Sequence, residues 1–259
     1  MAPPSKDELT THLVDEITSG RLAAGAGLPP ERELAQTFGL SRPTVREVLR
    51  GLQERGLVEI VPARGTFVRQ PSTVDGARSM ESLYRRGAVT AHDIMDARLM
   101  LETYAARLAA ERATPGDVDA IERCAVECEA AAGVLDRAHL DITFHGLIAK
   151  ASRNAVIETM FGSIAGFTFE LMLRSHFDAH VAERGLPYHR SIVDALRAGD
   201  GDRAAEAMRA HLTIAADLYG PDYDRSIDSV VRSQFPGLGS PQPLERLLAE
   251  VGKRFGAGK

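Results

Sequence analysis

The sequence is poor in cysteine, has no excess of positive charge, and contains almost no long apolar run. Each shortage narrows the choice of function. The two cysteines, Cys124 and Cys128, sit four apart inside "IERCAVECEAAAG", which reads as helix. Adjacent turns of one helix are a poor frame for a disulfide, so the pair reads as two small core-facing residues. Scarce cysteine suits a reducing cytosol. A formal net charge of −5 excludes a global basic field directed at nucleic acid, though not a local basic surface. "MAPPSKDELTTHLVDEI" lacks the apolar core of a secretion signal, so a cytoplasmic location is expected. One stretch, "NAVIETMFGSIAGFTFELML" (154–173), imitates a membrane span and includes Gly162-x-x-x-Gly166. Glu158 and Glu170 interrupt it, and ionisable groups are costly in lipid. A helix apolar nearly all round also serves a bundle centre or a dimer interface, so no membrane is expected.

What is present is ordinary globular material: 44% hydrophobic and 26% charged residues over 259 positions, enough for one large domain or two ordinary ones. Three regions separate. Residues 6–69 mix helix and strand signals. Residues 70–89 read as a linker. Residues 90–220 are an almost unbroken series of helical patterns. A tail, 221–259, follows the break at "GPDYD" and ends in "LERLLAEVGKRF", a short amphipathic helix. The expected fold class is mainly α: an N-terminal winged helix-turn-helix with a small β-hairpin wing, then an all-α antiparallel bundle joined by short connections. Helices are expected near 90–112, from Pro115 behind a Thr114 cap, at 136–152, at 154–174, from Pro187 to Gly199, and from about Asp200 to Gly220.

In "LPPERELAQTFGLSRPTVREVLRGLQERGLVEIVPARGTFVRQ" (28–70), a short helix at 31–38 is followed by Gly39, where a left-handed residue ends a helix without strain. Ser41 then caps a helix whose Val45, Val48, Leu49 and Leu52 form an apolar stripe, with Pro43 tolerated in the first turn. Arg42, Arg46 and Arg50 lie off that stripe. Helix, Gly-containing turn and helix make the helix-turn-helix pattern. "LVEIV" and "GTFVR", joined by "PARG", form the wing. Residues 31–69 carry seven arginines against five glutamates, concentrated where a recognition helix and wing would meet phosphates and base edges. The same charges would also suit a solvated face on a protein-interaction domain.

The helical region raises a different question. Asp141 and His145, in "DITFHGLIAK", share one helical face beside an apolar stripe. Arg98, His189 and His211 likewise fall on stripes that otherwise look buried. Each alone has an ordinary explanation: a histidine satisfied in the core, a carboxylate at a stripe's edge, or Arg98 paired with Glu102 one turn on. Together, one carboxylate and three imidazoles from three helices make a ligand set for a divalent transition metal, with zinc favoured and nickel, iron or manganese as alternatives. Arg98 offers a planar fork for a carboxylate, so the cavity suits a small organic acid that chelates the metal.

The N-terminal motifs "L-P-x-E-R-E-L-A", "G-L-S-R-x-T-V-R-E-x-L" and "G-T-F-V" resemble the GntR family of bacterial transcription regulators. The resemblance implies DNA contacts from Arg32, Arg42, Thr44, Arg46, Arg64 and Gly65. The sequence departs from the family at Pro30, where a preset φ replaces a small polar cap. Residues 95–213 resemble the FCD ligand-binding domain of the FadR subfamily through "R-L-M-L-E" (98–102), "D-x-x-F-H" (141–145), "A-S-R-N" (151–154) and "H-R-S-I-V-D-A-L-R-A-G-D" (189–200). The resemblance implies metal ligands Asp141, His145, His189 and His211 and an effector-binding Arg98. Asn154 lines the pocket or caps the fourth helix of this region. His176 and His180 match no role and read as solvent-exposed.

The expected function is a homodimeric DNA-binding regulator, usually a repressor in this family, on a palindromic double-stranded operator and under the control of a small acid. A metal-dependent enzyme, with the winged module as a docking domain, and a sensor of the metal itself are the alternatives. The enzyme reading lacks an evident general base and an H-E-x-x-H signature.

Overall fold

The computed structural model describes residues 5–69, 89–177, 187–217, 219–227 and 229–230. The chain divides into two compact units, Met1–Ser72 and Thr73–Lys259. The linker expected at 70–89, apart from Val89, and the tail helix at 244–255 lie outside the described residues.

The first unit contains α1 (Lys6–Thr18), α2 (Glu31–Thr37), α3 (Arg42–Glu54), β1 (Val58–Val61) and β2 (Gly65–Val68). Ser5 and Glu8 form a capping box that starts α1. Pro30 precedes α2 at φ −56° without a side-chain cap, so its ring fixes the entry of the helix. Gly39 takes φ 61° between α2 and α3, a conformation glycine adopts without steric penalty. Ser41 Oγ then accepts from the Thr44 amide at 3.3 Å. Leu9 and Leu13 from α1, Leu34 from α2, and Val45, Val48, Leu49 and Leu52 from α3 close one core with Val58 and Val68 of the wing. A fully buried leucine such as Leu52 contributes about 1.5–3 kcal/mol. The strands pair antiparallel with Val58 opposite Val68 and Val61 opposite Gly65.

The second unit contains α4 (Ala91–Arg112), α5 (Pro115–Ala130), α6 (Val134–Ala151), α7 (Ala155–Phe177), α8 (Pro187–Ala198) and α9 (Gly201–Asp217). Capping boxes at Thr90/Asp93 and Thr114/Asp117 start α4 and α5. Helix α6 packs against α4, α5 and α7, which puts the "DITFHGLIAK" segment at the centre of the bundle. Helix α4 packs mainly on α9, α6, α7 and α8 rather than on α5, which follows it. Ala113 breaks the helix at φ −64°, ψ 141°, and its amide donates to the Ala109 carbonyl. Cys124 and Cys128 are buried free thiols, and burial pushes the Cys128 thiol well above its ordinary range.

The apolar helix α7 is a core helix of this bundle. It is long and apolar enough to cross a membrane, yet Ile157, Phe161, Ile164, Ala165 and Leu171 are buried against protein. Arg174 anchors its end: Nη2 donates to the Tyr219 carbonyl at 3.1 Å, and the guanidinium lies 4.3 Å from the Tyr219 ring centre. Residues beyond 220 also pack on the helical unit. Ile227 and Val230 are fully buried, and the Ile227 amide donates to the Val89 carbonyl. The segment up to Val230 therefore packs on the start of α4.

Candidate metal centre and nucleic-acid interface

Asp141 and His145 sit four apart on α6, so one turn brings both side chains to the same side. Helix α8 contributes His189 and α9 contributes His211. All four side chains are buried, and one ligand atom from each lies within 4.8 Å of all the others. His189 Nε2 is 3.2 Å from Asp141 Oδ1, His145 Nε2 is 3.4 Å from the same oxygen, and His211 Nε2 is 3.2 Å from His145 Nε2. A tetrahedral ion with bonds of about 2.0–2.2 Å has ligand-to-ligand edges of roughly 3.3–3.6 Å. The three contacts match that scale.

Close approach without hydrogen bonding is the telling feature. Asp141 Oδ1, His211 Nδ1 and both ring nitrogens of His189 are buried without a hydrogen-bond partner. Buried polar atoms normally have one, and each orphan is destabilising. Ligand atoms crowded at coordination distances, with only the His145–His211 pair in hydrogen-bonding geometry, fit a shared cation, so the residues present suit a divalent metal.

The electrostatics favour the ligand-ready form at Asp141 and His211. Burial alone would raise the Asp141 pKa, but His145, His176 and His189 outweigh it and hold the carboxyl well below the usual range. Burial and the neighbouring His189 and His145 hold His211 well below its ordinary pKa, leaving a neutral imidazole. His145 moves the other way: burial opposes its charged form, but Glu102 and Asp141 prevail and raise its pKa.

Two partners of this centre were not read as such from sequence. His176, expected to be solvent-exposed, is buried, and its Nε2 lies 2.9 Å from Asp141 Oδ2. The apolar run that carries α7 through the core carries His176 inside with it. His180 lies outside the described residues. Glu102, considered only as a partner for Arg98, is buried between two groups. Its Oε1 accepts from Arg98 Nε at 2.7 Å, and its Oε2 meets His145 Nδ1 in a short contact. Arg98 is itself buried beside Met95. Asn154 takes the capping role: its Oδ1 accepts from the Val156 and Ile157 amides at 3.1 and 3.3 Å.

On the first unit, Arg32, Arg42, Arg46, Arg64 and Gly65 are exposed and Thr44 is half-buried. Arg42, Thr44 and Arg46 occupy the first turns of α3. The Thr44 hydroxyl sits 2.8 Å from Ser41 Oγ. Arg46 forms a two-pronged pair with Glu31, Nε at 3.1 Å and Nη2 at 2.9 Å, and Arg42 lies 3.7 Å from the same carboxylate. The arginines hold the Glu31 pKa below its ordinary value. Gly65 opens β2 at φ 120°, beside Arg64.

A winged helix-turn-helix joined in one chain to a helical unit with a buried polar centre is the architecture of a transcription regulator, and the family matches assign the chain to that class. The family described as "Bacterial regulatory proteins, gntR family" matches residues 5–68, and the FCD domain matches residues 93–213. The Escherichia coli K12 protein named "Putative L-lactate dehydrogenase operon regulatory protein" is 33% identical over 215 residues, covering 80% of this chain and 83% of that one. The galactonate operon transcriptional repressor of the same organism is 29% identical over 211 residues, covering 78% and 90%. The solved structure of a Streptococcus agalactiae GntR protein superposes with a TM-score of 0.65 at 26% identity, covering 81% and 98%. The chain belongs to the GntR family of transcription regulators and carries an FCD domain. The family consists of regulators and not enzymes, so the metal-dependent enzyme reading falls.

Proposed function

We propose that this regulator is a cytoplasmic homodimeric repressor that binds a palindromic double-stranded operator through Arg32, Arg42, Thr44, Arg46, Arg64 and Gly65. A small hydroxy acid, bound at a metal held by Asp141, His145, His189 and His211, controls its operator affinity. The observation that carries the metal reading is the set of four buried ligand atoms within 4.8 Å. Three imidazoles with one carboxylate favour zinc among divalent ions. A 2-hydroxy acid would chelate that ion through its carboxylate and hydroxyl, and Arg98 would receive its charge. Two of the relatives are named for an L-lactate dehydrogenase operon and a galactonate operon, and both L-lactate and galactonate are hydroxy acids. Control requires the acid to bind two arrangements of the DNA-binding units with different affinity.

The test uses full-length protein stripped with a chelator and reloaded with zinc. Hydroxy acids are titrated while operator binding is followed by fluorescence anisotropy. The expected result is that an acid lowers operator affinity in the zinc-loaded protein only. Equal responses with and without metal would overturn the metal-dependent effector reading.

A further inference from the structure

The metal ligands lie in a chain of contacts that begins outside the ligand set. Arg98 and Glu102 sit one turn apart on α4, and both side chains are buried. Glu102 divides its two oxygens, one to Arg98 Nε and one to His145 Nδ1. His145 Nε2 faces Asp141 Oδ1 and His211 Nε2. A carboxylate that accepts from Nδ1–H fixes the imidazole with Nε2 as its ligand atom and raises its basicity. We infer that Glu102 is the positioning residue of the metal centre, holding His145 in the Nε2-ligating form and linking Arg98 to the ion.

This inference rests on the proposed metal reading and adds a mechanical route between the two halves of the site. Arg98 is engaged through Nε by Glu102 and through Nη1 by the weak Met95 sulfur acceptor at 3.7 Å, which leaves Nη2 for an acid. An acid drawing on Nη2 competes with Glu102 for the same positive charge. Glu102 in turn sets the orientation of His145. Arg98 should therefore influence metal affinity without being a ligand. By linkage, whatever factor the bound acid applies to metal affinity is the factor the metal applies to acid affinity. Glutamine at position 102 keeps the volume but cannot serve both partners. If its carbonyl accepts from His145, its amide presents N–H to the Arg98 N–H.

The experiment measures zinc affinity of full-length wild-type, Glu102→Gln and Arg98→Ala proteins by competition with a chromogenic chelator. Long-range 1H–15N spectra of the zinc-loaded wild type assign the His145 nitrogens. The expected results are a zinc affinity lower by about 10–100-fold in E102Q, a smaller loss in R98A, and a wild-type His145 that carries hydrogen on Nδ1 and metal on Nε2. Wild-type affinity in E102Q, or a wild-type His145 bound through Nδ1, would overturn the role of Glu102. The second of these needs no variant and stands even if E102Q fails to fold. A wild-type protein that takes up no zinc, nickel or manganese would instead remove the metal reading itself.

Discussion

His189→Ala separates a metal ligand from a core histidine. The His189 ring is buried and stacks on Phe144 at 4.2 Å between centroids, so truncation removes real packing. A large-to-small core change of this size destabilises by on the order of 2 kcal/mol or more. Against that, neither ring nitrogen meets hydrogen-bonding geometry, and an unsatisfied buried polar group is destabilising by about 1–3 kcal/mol, while the contact of Nε2 with the Asp141 carboxylate at 3.2 Å returns part of that. The two effects oppose one another in metal-free protein, so H189A should lie within roughly 2 kcal/mol of wild type there. Zinc reverses the comparison. At a free concentration of 100 times Kd, an ion bound only by the folded state stabilises by about 2.7 kcal/mol. For a unit of 150–250 residues that corresponds to a rise in Tm of roughly 5–11 °C. The wild type should show that rise and H189A should lose most of it. The assay is calorimetric melting of both proteins, stripped and zinc-loaded, with the unfolding of the helical unit followed separately. An undiminished zinc-induced rise in H189A would refute its assignment as a ligand.

Arg46→Ala should weaken specific operator binding by about 1–3 kcal/mol while the helical unit melts unchanged; unaltered anisotropy titrations would remove Arg46 from the interface. Asp117→Asn should destabilise the helical unit by about 0.5–2 kcal/mol near neutrality, since it breaks the Thr114 capping box. Burial opposes ionisation of Asp117, but Thr114 and Arg153 outweigh it and depress the pKa. Its contribution is therefore present above the unfolded carboxylate pKa and lost as pH falls through the folded one. The gap between wild type and D117N should close in acid, and urea melts at several pH values will show it closing or staying constant. Gly65→Ala should destabilise the winged unit by about 1–3 kcal/mol through backbone strain alone, because φ is 120° and a Cβ there meets nothing within 4 Å. Unchanged unfolding of that unit would show that the wing turn relaxes without penalty.

The relation of sequence to site follows from the range of each physical signal. The winged unit was readable because its determinants are local. Gly39, Ser41 and the period of Val45, Val48, Leu49 and Leu52 each act within a few residues, and the core they form is the one observed. Asp141 and His145 were readable as a pair because helical geometry alone puts them on one face. Nothing local in "PYHRSIVDAL" or "MRAHLTIA" says that His189 and His211 reach the same point. Their convergence depends on how α8 and α9 pack on α4, an arrangement that short connections do not dictate. The α4–α5 turn makes the same point, since the helix nearest in sequence is not the main packing partner. His176 and Glu102 were harder still. A histidine late in an apolar helix and a glutamate beside an arginine both have ready explanations at the surface. Burial turns those explanations into expensive ones: a buried Glu102 needs two positively charged or hydrogen-donating neighbours, and it finds them in Arg98 and His145. His176 meets Asp141 for the same reason. The α6 pair is thus held by partners on two other helices, one for each residue. Loss of either partner should loosen the ligand it holds while the four-residue set itself is untouched.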